Sequence, residues 1–184
     1  MTTNGDSGPT RTLLTGRLVT GGTTTHEGAV AIEDGTIAYA GPLADLPPNW
    51  SAVAPDPRVP TGATLVPGLV DSHLHGGAGG EFGVDADAAR TAIAEHRAHG
   101  STTLIGSLVS AGASDLITAT QTLSALVASG DLAGIHLEGP FIAAARKGAH
   151  DPDALRDGDP GLVDALAEAA AAVGAPGAIR HMTF

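Results

Sequence analysis

His73 and His75 stand two residues apart at the end of the apolar run Leu65-Val66-Pro67-Gly68-Leu69-Val70. That run predicts a short buried strand, and side chains on a strand alternate faces. Asp71, His73 and His75 therefore share one face, while Ser72 and Leu74 take the other. Gly76, Gly77, Gly79 and Gly80 follow, so the strand opens into a loop of little bulk. Two adjacent imidazoles in such a place suit a metal ion with an open coordination position. A pair of solvated surface histidines is the competing reading, and the apolar run before the pair and the glycines after it weigh against it. A second place of the same kind is His136-Leu137-Glu138, which closes an apolar segment and is followed at once by Gly139-Pro140. Glu138 there can bind one metal ion or bridge two; a carboxylate that merely caps a loop is the alternative. Beyond it, Arg146-Lys147-Gly148-Ala149-His150 forms a cationic loop able to touch an anionic or polar substrate, or simply to face solvent.

The remaining histidines are less informative. His96 and His99 have helical spacing, but Glu95 precedes His96, so the H-E-x-x-H pattern fails. They read as helix-end residues favoured by the macrodipole. His26 falls in a loop and His181 on the last strand. No G-x-x-x-x-G-K-[ST] loop, G-x-S-x-G elbow or dinucleotide glycine spacing occurs, so nucleotide binding and serine hydrolysis have no support.

These residues need a scaffold. Residues 1–10 are polar and predicted to be disordered. Strands are expected over Leu13–Thr20, Gly28–Glu33 and Thr36–Ala40, with Gly21-Gly22 as a break and Asp34-Gly35 as a tight hairpin turn. Residues 11–66 thus suggest a small β-sandwich unit. From residue 67 to residue 184, helix and strand alternate. Helices are expected from Asp85 to about His99, from a Ser114 or Asp115 cap to about Gly130, and from Pro160 through Val173. Strands are expected over Thr102–Val109, Leu132–Glu138 and Ala178–Phe184. Strands separated by such helices imply βαβ units and a parallel sheet, an α/β class. In a parallel barrel, functional residues sit where strands end, which is where His73, His75 and Glu138 fall.

Composition narrows the function classes. The 184 residues carry 20 Asp and Glu against 9 Lys and Arg, a formal net charge of −11. That balance argues against nucleic-acid binding, which calls for a basic patch. There is no cysteine, so any metal must rest on His, Asp or Glu. The start has neither a basic n-region nor an apolar h-region, and no apolar run approaches the ~20 residues of a membrane span. A cytoplasmic location without membrane contact is expected.

Pro67-Gly68-Leu69-Val70-Asp71-Ser72-His73-Leu74-His75-Gly76-Gly77 resembles the first-strand signature of the amidohydrolase superfamily. His136-Leu137-Glu138-Gly139-Pro140-Phe141, followed by Lys147-Gly148-Ala149-His150, is similar to the N-acetylglucosamine-6-phosphate deacetylases within it. The resemblance runs from about Arg11 to Phe184. It implies a (β/α)8 TIM-type barrel, of which about four strands would be present, flanked by the small sandwich. It implies Glu138 as a metal ligand, His73 and His75 as ligands of a second ion, and one or two divalent ions, Zn2+ foremost. It also implies that His150 polarises the substrate amide carbonyl and that Ala149 lies beside the sugar. The implied reaction is hydrolysis of N-acetylglucosamine 6-phosphate, an amino-sugar phosphate, to glucosamine 6-phosphate and acetate, by a homodimer in the full-length form.

Members of that family complete the site with two further histidines and an aspartate base on later strands, for which this sequence has no counterpart. A complete barrel takes ~200–250 residues, more than follow Val66. The chain is therefore expected to be an N-terminal portion, inactive alone and poorly soluble or oligomeric because of an unpaired strand edge. The alternatives are another amidohydrolase, such as a dihydroorotase-like cyclic amidase, and a non-catalytic half-barrel that pairs as a split-enzyme subunit.

Overall fold

A computed structural model describes residues 9–184. The disordered tail expected over residues 1–10 falls mostly on residues 1–8, which lie outside those described. The chain divides into two compact units, Met1–Pro67 and Gly68–Phe184. No helix among the described residues is long and apolar enough to cross a membrane.

The first unit is built on strands β1 (Arg11–Thr20), β2 (Thr23–Glu33), β3 (Thr36–Pro42) and β4 (Thr64–Leu65). They form one sheet in the order β3-β2-β1-β4. Gly21-Gly22, expected to break a strand, is instead the turn of a hairpin. Both glycines have positive φ, +57° and +76°, the backbone that a two-residue turn between twisted strands requires. Pairing therefore continues through Thr23–Thr25, and the threonines suit a half-exposed pleated surface. Leu13, Ala29, Ala31 and Trp50 make the buried cluster of this unit.

The second unit carries β5 (Leu69–Leu74), the short pair β6 (Gly76–Gly77) and β7 (Gly80–Glu81), α1 (Ala86–Ala98) and β8 (Ser101–Leu108). Then come α2 (Ala113–Ala128), β9 (Gly134–Glu138), α3 (Pro160–Ala172) and β10 (Ile179–Thr183). β5, β8, β9 and β10 form a parallel sheet in which each strand lies beside its predecessor. Two helix starts follow expectation. Asp85 Oδ1 accepts from the backbone N–H of Asp87 (2.8 Å) and Ala88 (3.2 Å). Asp159 does the same for α3, with Pro160 at the first helical position. α2 begins earlier than expected, at Ala113, with Gly112 at the cap and no side-chain cap bond. Ser114 and Asp115 thus lie inside the first turn, where Asp115 complements the positive helix end.

Leu104, Leu108, Ile135 and Leu137 of the sheet pack with Ile93 of α1, Leu116, Leu123 and Leu126 of α2, and Leu162 and Leu166 of α3. Each buried Leu or Ile contributes roughly 1.5–3 kcal/mol. The expectation of a fully buried first strand is corrected. Val66, Leu69 and Val70 are each more than half exposed. β5 is the sheet's edge and has a strand neighbour on one side only. Leu74, which faces the core, is the residue of β5 that is buried.

Candidate metal centre

β5 and β9 are second neighbours in the sheet, with β8 between them. Adjacent strands lie ~4.8 Å apart, so side chains on β5 and β9 must reach across β8 to meet. They do so at the C-terminal ends, because β8 presents the small residue Ser107 there. His73 Nε2 and His75 Nε2 are 3.1 Å apart. Glu138 Oε2 lies 2.8 Å from His75 Nε2 and 3.6 Å from His73 Nε2. One ligand atom from each of the three residues falls within 4.8 Å of the others.

His75 Nδ1 lies 3.2 Å from the Ser107 carbonyl oxygen. That oxygen can only accept, so Nδ1 carries a proton and Nε2 is the ring nitrogen that faces the cluster. His75 Nε2 thus faces the Glu138 carboxylate at 2.8 Å, as an ion pair when the ring is protonated or as a ligand nitrogen beside a ligand oxygen around a cation. Tetrahedral Zn2+ with ~2.1 Å bonds separates its ligand atoms by about 3.4 Å, close to the spacing seen. The residues fit a divalent ion with mixed nitrogen and oxygen ligands.

Charge within the cluster is consistent with that use. Partial burial pushes the Glu138 carboxyl up, but the imidazoles of His75, His73 and His150 outweigh burial and hold it below its ordinary range. The carboxylate is the ionised, ligand-competent form.

His150 stands at the end of the loop that follows β9. Its Nδ1 accepts from the Ser110 backbone N–H at 3.4 Å, and its Nε2 is 3.8 Å from Glu138 Oε1. Lys147 Nζ donates to the carbonyls of Gly148 and His150, both at 3.3 Å, which ties the loop to itself. A cleft of about 570 Å³ is lined by His75, Ser110, Glu138, Lys147, Ala149 and His150, among others. This is the size range of small-molecule sites. The five residues singled out from the sequence, His73, His75, Glu138, Ala149 and His150, therefore gather in one region, together with the basic loop.

Other histidines resolve differently. His96 Nε2 lies 3.0 Å from the Gly76 carbonyl and secures the glycine hairpin, a role beyond that of a helix-end residue. His99 turns back to the Glu95 carbonyl. His181 stacks on His136 at 4.1 Å between ring centroids. His136 was not singled out as a site residue, yet it is 1% exposed beneath the cluster. Burial pushes its imidazole down to about 4, with the neighbouring His181 and His73 adding to the shift, so it is neutral. Its position two residues before Glu138 on a buried strand was the available signal.

No family model matches the chain. An N-acetylgalactosamine-6-phosphate deacetylase of Shewanella sp. (strain ANA-3) is 30% identical over 148 residues, 76% of this chain and 36% of that protein. An N-acetylglucosamine-6-phosphate deacetylase of Bacillus subtilis is 28% identical over 151 residues, 77% of this chain and 37% of that protein. Among solved structures, a mutant N-acetyl-D-glucosamine-6-phosphate deacetylase from Mycobacterium smegmatis, in complex with N-acetyl-D-glucosamine-6-phosphate, superposes with a TM-score of 0.81 at 39% identity. That match covers 95% of this chain and 43% of the other. The chain spans a little over a third of the length of the curated relatives it matches.

Proposed function

We propose that this chain forms the metal-binding corner of an amino-sugar-6-phosphate deacetylase, enzymes to which it is similar over about two fifths of their length. The reaction is hydrolysis of the acetamide of N-acetylglucosamine 6-phosphate to glucosamine 6-phosphate and acetate. The observation that carries the reading is the convergence of His73, His75 and Glu138 at the C-terminal ends of parallel strands, with His150 3.8 Å from Glu138. The strand order, each beside its predecessor with a helix between, supports reading the sheet as the opening half of a (β/α)8 barrel. Residues 67–184 are read as that half, and residues 11–66 as part of a separate small β-sandwich.

His73, His75 and Glu138 hold one or two divalent ions, Zn2+ foremost. Bound there, the ion supplies Lewis acidity, polarising a carbonyl and lowering the pKa of water to roughly 7. The protein's own groups set the stage for that chemistry. The Ser107 carbonyl fixes the His75 tautomer so that Nε2 faces the ion. Because His150 accepts at Nδ1 from Ser110, its Nε2–H is free to donate to the amide oxygen of the substrate. Ala149, with a single methyl group, leaves room for the sugar ring. Arg146 and Lys147 bring positive charge to the same cleft, which suits a phosphorylated substrate.

The test is acetate release by the metal-loaded whole protein from N-acetylglucosamine 6-phosphate and from its galacto epimer, with and without a chelator. Chelator-sensitive release from the gluco epimer supports the reading. A preference for the galacto epimer corrects the sugar but keeps the chemistry. Release from neither overturns it.

A further inference from the structure

Beneath the three ligands lies a line of polar groups that no step above uses. His136 Nδ1 is 2.9 Å from Ser107 Oγ on β8. Its Nε2 is 2.9 Å from Thr183 Oγ1 on β10. Both ring nitrogens are therefore engaged, so His136 is not itself a ligand, and a hydrogen bond at each side of the ring fixes its orientation. A buried imidazole costs free energy unless it is bonded in this way. A plain apolar side chain would fill the same space without that demand.

The ring touches the ligand pair. Its edge packs against His73, with centroids 4.7 Å apart and planes at 73°. Ser107, which holds one side of His136 through its hydroxyl, accepts from His75 Nδ1 through its carbonyl. One hydrogen-bonded line across three neighbouring strands thus reaches both imidazoles, His75 by a hydrogen bond and His73 by ring packing. His181 closes the far face of the ring by stacking.

We propose that His136 is a positioning residue, held by Ser107 and Thr183, that sets the His73 and His75 rings at metal-binding separation. This rests on the reading that those two residues hold a metal ion.

The experiment measures Zn2+ affinity of the full chain by competition with a chromophoric chelator, and the visible absorption of the Co2+ form. His136→Phe keeps the ring and its packing but loses both hydrogen bonds. It is expected to weaken Zn2+ binding by about 10–100-fold, the usual effect of removing an outer partner of a metal ligand, and to change the Co2+ band intensities. Ser107→Ala and Thr183→Val each remove one bond and are expected to do less. His136→Asn keeps a partner for Ser107 and is expected to recover part of the loss. Leu166→Ala, in the core on α3, serves as a control that lowers stability without moving affinity or spectrum.

Unchanged affinity and spectrum in folded His136→Phe overturn the proposal. So does an equal loss in Leu166→Ala, which would make the effect a general loosening. If His136→Phe fails to fold, unchanged affinity in both single-bond variants overturns it instead. If the unaltered chain takes up no Zn2+, the metal reading itself falls and this proposal falls with it.

Discussion

Zn2+ should raise the thermal unfolding midpoint of the chain, and Glu138→Gln should abolish the rise. His73 and His75 stand at the end of β5 and Glu138 on β9, separated in sequence by α1, β8 and α2, so the cluster exists only when the sheet is formed. A ligand that binds the folded state alone stabilises it by RT ln(1 + [L]/Kd), about 2.7 kcal/mol at a free concentration of 100 Kd. For a chain of this size 1 kcal/mol moves the midpoint by roughly 2–4 °C, so the expected rise is about 5–11 °C. Each further tenfold in free Zn2+ adds about 1.4 kcal/mol, or roughly 3–6 °C. Glu138→Gln keeps the shape of the side chain but removes the charge that faces His75 at 2.8 Å. Differential scanning fluorimetry across a chelator-buffered Zn2+ series reads both quantities. A rise of the same size in Glu138→Gln would place the binding at other histidines and refute the reasoning. No rise in the unaltered chain would refute it as well.

Four further outcomes are expected. His150→Ala should leave Zn2+ affinity within a few-fold while lowering the proposed acetate release by about 10²–10³-fold, the usual effect of removing one hydrogen-bond donor to the reacting oxygen; a large loss of Zn2+ affinity would move His150 into the ligand set. Leu166, fully buried in the core, should cost about 2–5 kcal/mol when changed to Ala, read as a lower urea midpoint at unchanged slope. Gly139→Ala should cost about 1–3 kcal/mol, because φ is +84° there and the added Cβ meets Ser110 Oγ; an unchanged urea midpoint would contradict that backbone. The hydrogen bonds from Arg58 to Asp56 hold that carboxyl down, from 3.8 to about 2. A depressed folded value stabilises above the unfolded value and is lost as pH falls through the folded one. Asp56→Asn should therefore lower the urea midpoint slightly at pH 6, and the difference should close as pH falls from about 4 towards 2.

The closeness of His73 and His75 was legible because a period of two is enough to put them on one face. Glu138 was legible because it closes an apolar strand just before Gly139-Pro140. Helix starts at Asp85 and Pro160 carried their own local chemistry. What was not legible depended on pairing. Leu69 and Val70 read as buried because an apolar run does not say how many neighbours its strand will have. The turn at Gly21-Gly22 read as a break because glycine pairs mark both breaks and hairpins. Gly112 was missed as a helix start because it offers no side-chain cap. The bonds of His136 join residues 29 and 47 positions away. Only the registers of β8 and β10 against β9 bring those hydroxyls to the ring, and no local pattern encodes a register between distant strands.

The order of the parallel strands also shapes how the chain comes together as it is made. Each strand lies beside the one synthesised before it, so every addition to the sheet closes a loop of one helix and its linkers, and the entropic cost of closure stays modest at every step. The three candidate ligands are all in place once Glu138 has been added, before α3 and β10 exist. A metal ion captured at that moment would fasten the first three strands to one another while the chain is still growing. The half-built sheet would then wait for Thr183 to complete the support under His136. In such an order the site would stabilise the growing fold before the sheet is complete.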